Sequence, residues 1–203
     1  MEREQPNEHE DGQSSPERSG TPEQKADAAP RIYVASLSDY NNGRLHGEWI
    51  DADADPDEIH HAIEQMLERS PTEGAEEFAI HDFDGFFPWR PGEFESIGTV
   101  SAVAQGIAAH GPAFAHWAEI VNTSDPDLLD RFEDAFLGLW ASVEEYATDL
   151  ADNVGLWTEG VAPDSLSPYF RFDYEAFARD LELSGDITTS EGDGGVYIFE
   201  GNL

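Results

Sequence analysis

The stretch DPDLLDRFEDAFLGLWASVEEYATDL, residues 125–150, decides how this chain is interpreted. Asp125 is a capping residue, and apolar side chains follow it at helical spacing: Leu128, Leu129, Phe132, Ala135 and Phe136. Ser142 and Glu145 form the capping box of a second helix. The stretch therefore predicts a pair of helices, although it is crowded with carboxylates and contains one cation, Arg131.

Seven acidic side chains of this stretch are predicted to lie at its surface: Asp127, Asp130, Glu133, Asp134, Glu144, Glu145 and Asp149. Residues three or four apart on a helix are about 5–6 Å from each other, and the phosphates of one nucleic-acid strand rise by about 3.4 Å per residue. Carboxylates on regular elements therefore approximate a row of phosphates. Adaptation to high salt explains the same composition equally well, because salt screens the repulsion between exposed like charges.

The acidity extends far beyond this stretch. The 203 residues contain 44 acidic and ten basic side chains, a formal net charge of −34, and residues 31–203 alone carry −29. Such charge lowers the stability of a compact body, but hydrophobic residues make up 39% and aromatic residues 11% of the chain, enough for a buried core. A surface this negative repels nucleic acid and anionic lipid. We therefore expect a basic partner, with no direct binding of nucleic acid or membrane.

Several classes of site are excluded by what the sequence lacks. The chain contains no cysteine, which excludes disulfides, thiolate metal sites and thiol nucleophiles. No apolar run approaches the roughly 20 residues that a membrane span needs, and the N-terminus is too polar for a signal peptide. We expect a soluble cytoplasmic protein.

The first half of the chain predicts a tail followed by a small α+β unit. Residues 1–30 are rich in Glu, Gln, Pro, Ser and Gly, which predicts a disordered acidic tail. RIYVASL, RLHGEWIDA and EEFAIHDFDGFF predict three strands, and Asp55 with Pro56 begins a helix between the second and the third. Together these elements predict an N-terminal domain over residues 31–90.

The second half predicts a helical domain and a second α+β domain. A helical middle domain is predicted over residues 91–151, with a break at Gly111 and Pro112 between its first two helices. The C-terminal domain, residues 152–203, is predicted to contain a hairpin that turns at Asp193 and Gly194. Its helix carries apolar side chains at helical spacing: Phe170, Tyr174, Phe177, Ala178 and Leu181. The predicted fold class is α+β.

Motifs for catalysis are weak in this sequence. It has no Gly-rich phosphate loop, no GxSxG turn and no HExxH. Glu58 and His61 have the spacing of half a di-iron site, but the second Glu-x-x-His that such a site needs is missing. We predict no enzyme activity, no catalytic residue, no cofactor and no metal, and we keep a hydrolase that uses the His81–Asp84 region as an alternative.

Three segments resemble the antirestriction protein ArdA family. IYVASLSDYNNGRLHGEWID resembles the opening of the family's ordered body, and EEFAIHDFDGF resembles its next strand and aromatic turn. LLDRFEDAFLGLWASVEEYATDL resembles its acidic antirestriction motif. The segments occur in the family's order and together span most of residues 31–152.

The resemblance implies a DNA mimic, carried on mobile genetic elements, that binds a type I restriction–modification enzyme in place of DNA and inhibits it. It also implies an elongated fold of small units in a row and a homodimer that forms a curved acidic rod. On this reading the seven acidic residues of 125–150 bind the partner together, with none decisive, while Leu128, Phe132, Phe136 and Trp140 support the fold or the subunit contact. The alternative is a salt-adapted acidic interaction module without DNA mimicry.

Overall fold

Two antiparallel three-stranded sheets and the helices packed on them form the part of the chain that the structure describes. The computed structural model describes residues 29–155 and 172–202. Nearly all of the predicted tail, and the predicted helix residue Phe170, lie outside these residues. The mixture of helices and antiparallel sheets confirms the α+β class.

The first sheet has the strand order β2-β1-β3. Its strands are β1 (Arg31–Ser36), β2 (Gly47–Asp51) and β3 (Phe78–Asp84), and a short helix, α1 (Leu37–Asn41), follows β1. All three predicted strands are therefore confirmed. Helix α2 (Pro56–Glu68) connects β2 to β3, and the side chain of Asp55 accepts a hydrogen bond from its first turn, as predicted for the cap.

Two helices follow the first sheet and share its core. Helix α3 (Ile97–His110) and helix α4 (Pro112–Ile120) are separated at Gly111, whose φ is +71°, so the predicted break is confirmed. The core contains buried side chains of the sheet, of α2, α3 and α4, and of the C-terminal strand: Ile32, Ile59, Val103, Trp117 and Phe199 are among them.

Of the two helices predicted between Asp125 and Leu150, the second is confirmed and the first is broken. The stretch forms two single-turn helices, α5 (Pro126–Leu129) and α6 (Phe132–Ala135), then strand β4 (Phe136–Trp140) and helix α7 (Val143–Asn153), which begins at its predicted cap, Ser142. The prediction missed strand β4 because tertiary pairing overrides a short apolar pattern that fits either element. Gly138 has a φ of +120°, which no helix contains, and β4 pairs with the last strand of the chain.

The second sheet has the order β4-β6-β5, with β5 (Ile187–Gly192) and β6 (Gly195–Glu200) joined at the predicted turn. Helix α8 (Tyr174–Ser184) packs with α7 over a second core that includes Ala147, Leu181 and Ile198. Strand β6 is buried on both faces, so it joins the two cores. The predicted boundary at residue 151 falls inside α7, and β4 belongs to the C-terminal sheet.

Candidate partner-binding surface

All seven acidic residues predicted to bind a partner are exposed in the structure. Short local contacts hold several of them in place. The backbone N–H of Asp127 donates to the carboxylate of Asp125 at 3.2 Å, and the N–H of Glu145 donates to the hydroxyl of Ser142 at 3.1 Å. The Asp149 carboxylate accepts a 2.7 Å hydrogen bond from the side chain of Asn153.

Five of the seven acidic residues lie in the first turn of a helix. Asp127 begins α5, Glu133 and Asp134 lie in α6, and Glu144 and Glu145 begin α7. Unpaired backbone N–H groups at a helix N-terminus favour a nearby anion by about 0.3–1 kcal/mol. Local helix geometry therefore offsets part of the repulsion that this charge density causes.

Cations do little to neutralise this surface. Within residues 29–155 and 172–202, ion pairs with arginine join Arg31 to Asp84 at 3.1 Å and Arg69 to Glu48. None of the seven acidic residues is in either pair; Glu133 lies 4.0 Å from the ring of His110. The charges therefore face solvent largely uncompensated.

The same outward arrangement holds for nearly all carboxylates. The described residues include 34 Asp and Glu against six Arg, and 31 of those 34 acidic residues are exposed. Asp53 and Glu95 are partly buried, and Asp39 alone is fully buried. A second acidic stretch, DADADPDE at residues 51–58, is not among the predicted partner-binding residues. Its five acidic residues of eight are visible in the composition alone.

Asp39 is an acidic residue of the interior and is not available to a partner. Burial raises the pKa of its carboxyl, but hydrogen bonds from Ser70 at 2.5 Å and Thr72 at 2.6 Å, together with a contact to Ser36, outweigh that effect. Its pKa consequently lies below the usual range. Asp39 ties α1 to the segment that follows α2.

The aromatic residues of this stretch support the fold. Phe132 is buried and stacks on Phe136 with ring centroids 5.2 Å apart, and it contacts Phe199 of β6 at 6.5 Å. Trp140 packs edge-on against Tyr146 at 5.5 Å, which joins β4 to α7. These contacts fix the acidic elements to both cores.

The His81–Asp84 region shows three side chains with separate local partners. Asp84 pairs with Arg31, and the Asp82 carboxylate accepts from the N–H of Phe83 at 2.9 Å. The ring of His81 meets Tyr40 edge-on at 4.8 Å. No hydrogen bond or ion pair joins His81, Asp82 and Asp84 to one another within the described residues.

His61 contacts Gln65 at 2.8 Å and lies 4.0 Å from Glu64. Across the described part of the chain, no three His, Asp or Glu side chains are grouped so that they could hold a metal ion. Nor does that part contain a helix with the length and apolar character of a membrane span.

Comparison with known protein families agrees with the three resembling segments. The model of one family, described as antirestriction protein (ArdA), matches residues 32–194. That range includes all seven acidic residues and runs from β1 to the turn after β5. A search of curated proteins found no significant match to the chain. The family match covers most of the sequence, so the chain belongs to the ArdA family of antirestriction proteins, which act on restriction–modification enzymes.

Proposed function

We propose that this protein is a DNA mimic that binds a type I restriction–modification enzyme in place of DNA and so inhibits it. The observation that carries the proposal is the exposure of 31 of the 34 described acidic residues, with only two ion pairs to arginine among the described residues. The exposed carboxylates of such a surface can interact with the Lys and Arg side chains that bind phosphates in a DNA-binding groove.

The amount of charge is appropriate for a duplex. The described residues carry a formal net charge of −28. Because B-DNA carries one negative charge per about 1.7 Å of axis, this is the charge of about 48 Å of duplex. A homodimer, which we include in the proposal together with an elongated shape, doubles that length to about 95 Å.

Affinity arises in this proposal from many modest contacts. Binding a basic groove releases the anions held by its Lys and Arg and the cations held by the carboxylates, which makes the affinity fall with salt. The seven acidic residues of 125–150 contribute together. The proposed site of action is the cytoplasm, where restriction–modification enzymes and an incoming mobile element meet.

A competition experiment tests the proposal. A purified type I enzyme is bound to a fluorescent duplex that contains its recognition sequence, and the protein is added at several salt concentrations. We expect the duplex to be displaced, less effectively as salt rises. A salt-adapted module without mimicry leaves the duplex bound at every salt concentration, and undiminished DNA binding with excess protein across several such enzymes contradicts the proposal.

A further inference from the structure

A cleft of about 600 Å³ opens beside the β5–β6 hairpin, and none of its lining residues belongs to the 125–150 stretch. The loop after β3 supplies Phe87, the first half of α4 supplies His116, and the hairpin supplies Glu191, Asp193 and Tyr197. We call it the hairpin cleft. No Arg or Lys lines it.

His116 lies at the base of the hairpin cleft, and only one of its two ring nitrogens is hydrogen-bonded to the described residues. His116 is 6% exposed, its Nδ1 lies 2.7 Å from the hydroxyl of Ser190, and its ring packs on Tyr197 at 4.3 Å. Its Nε2 makes no hydrogen bond to the described residues. Because every fully buried side-chain nitrogen or oxygen of those residues has a hydrogen-bond partner, Nε2 is not fully buried. The Nε2 atom therefore reaches the cleft.

The protonation state of His116 allows that nitrogen to act as an acceptor. Burial lowers the pKa of the imidazole, and the opposing charges of Glu119 and Asp193 do not restore it. The ring is consequently neutral at pH 7. When Nδ1–H donates to Ser190, the lone pair of Nε2 faces the cleft.

The rim and the wall of the hairpin cleft add two further features. Glu191 and Asp193 are exposed carboxylates on either side of Gly192, where a Cβ would lie 2.3 Å from the ring of Tyr197. Phe87 is the one non-glycine residue of the described chain with positive φ, +52°, and the residue is 39% exposed. Such backbone conformations are costly and cluster at ligand-binding positions.

We propose that the hairpin cleft binds an arginine side chain of the protein partner, with the guanidinium stacked on Phe87 and hydrogen-bonded to His116 Nε2, Glu191 and Asp193. An aromatic face, a neutral acceptor and two carboxylates suit a planar cation with five donors better than the compact, strongly hydrated ammonium of lysine. This inference deepens the proposed function and rests on it for the source of the arginine, the basic groove of the restriction–modification enzyme.

An experiment on the full chain alone tests the cleft. The ¹⁵N-labelled protein is titrated with N-acetyl-arginine amide, N-acetyl-lysine amide and the neutral N-acetyl-norleucine amide at constant ionic strength. We expect saturable shifts of the His116 imidazole nitrogens and the Gly192 amide with the arginine probe, about fivefold weaker binding of the lysine probe, and no binding of the neutral one.

Matched variants identify the groups responsible. Asp193→Asn, Glu191→Gln and Phe87→Leu should each weaken binding of the arginine probe several-fold with an otherwise unchanged amide spectrum. Glu68→Gln, which removes the same charge from an exposed position outside both surfaces, should leave that binding unaffected. The use of two separate carboxylates keeps the test valid if one substitution disturbs the turn. Unsaturable shifts spread over many acidic residues, equal binding of lysine, or an equal effect of Glu68→Gln would overturn the proposal.

Failure of this inference and failure of the proposed function give different results. If the arginine probe binds the hairpin cleft but the protein does not displace DNA from the enzyme, the proposed function is wrong and the cleft remains a guanidinium site. If the protein displaces DNA with the same potency after Phe87→Leu and Asp193→Asn, the proposed function stands and the cleft is not a contact with the enzyme.

Discussion

Neutralising five carboxylates of the 125–150 stretch is the sharpest test of distributed binding. The variant carries Asn at three positions and Gln at two: Asp127, Asp130, Asp134, Glu144 and Glu145. All five are exposed and none pairs with an arginine of the described chain. Contacts of this kind contribute about 0.5–1 kcal/mol each, so single substitutions should weaken inhibition only about two- to fivefold.

Together the five changes should weaken binding by roughly 2.5–5 kcal/mol, which is about 70- to 5,000-fold. The salt dependence should flatten as well, because each lost phosphate-like contact reduces the number of ions that binding releases. Neutralisation has two opposite effects on the free energy of unfolding. It relieves charge repulsion, but four of the five carboxylates lie in the first turns of helices, where a negative charge stabilises the helix. We expect the melting temperature to change by less than about 4 °C.

The assay is displacement of a fluorescent duplex from a type I enzyme, measured at four or more salt concentrations. A matched variant removes the same charge from exposed positions outside the stretch: Glu68, Glu73, Glu76, Glu77 and Glu175. It should lose much less inhibition than the first variant. An equal loss in both would show that net charge acts without local contacts, and abolition by Asp130→Asn alone would replace the distributed surface with a discrete hot spot.

Three further predictions concern the stability of the chain. Removal of residues 1–28, which lack the apolar content to pack, should leave melting temperature and inhibition nearly unchanged; a large fall in melting temperature would show that the tail docks. The low pKa of Asp39 contributes stability that is present above its unfolded pKa, near 3.8, and lost as pH falls through the lower folded value. Melting of the wild type and of Asp39→Asn should therefore differ most at neutral pH and converge in acid, and a constant difference would refute this. Gly138→Val should destabilise the fold by roughly 1–3 kcal/mol, because φ is +120° and a Cβ would lie 2.9 Å from Trp140. In its control, Gly98→Ala in α3, the added Cβ meets only an ordinary contact, 3.9 Å from the hydroxyl of Ser96, so the change should be neutral or stabilising in denaturant unfolding; similar losses in both would argue against the strained position.

The sequence by itself determined the features that depend on neighbours within a turn or two. Asp55 and Pro56 define where α2 begins, Gly111 separates α3 from α4, and the turn before β6 forms at Asp193 and Gly194. Each is decided by a cap, a positive φ or a two-residue turn, whose energetics need no distant partner. The family was also predictable, because three acidic and aromatic segments in a fixed order are a property of the chain itself, and the match over residues 32–194 confirms it.

Only the tertiary structure decided which elements meet. The segment FLGLW fits a helix or a strand by its apolar pattern, and it becomes β4 because β6, about sixty residues away in sequence, supplies backbone partners. Nothing in the sequence distinguishes Asp39 from the other carboxylates. In the structure it is buried and accepts hydrogen bonds from the hydroxyls of Ser70 and Thr72. Such outcomes depend on the burial and hydrogen bonding that form when segments distant in sequence pack together. A local sequence pattern does not contain this information.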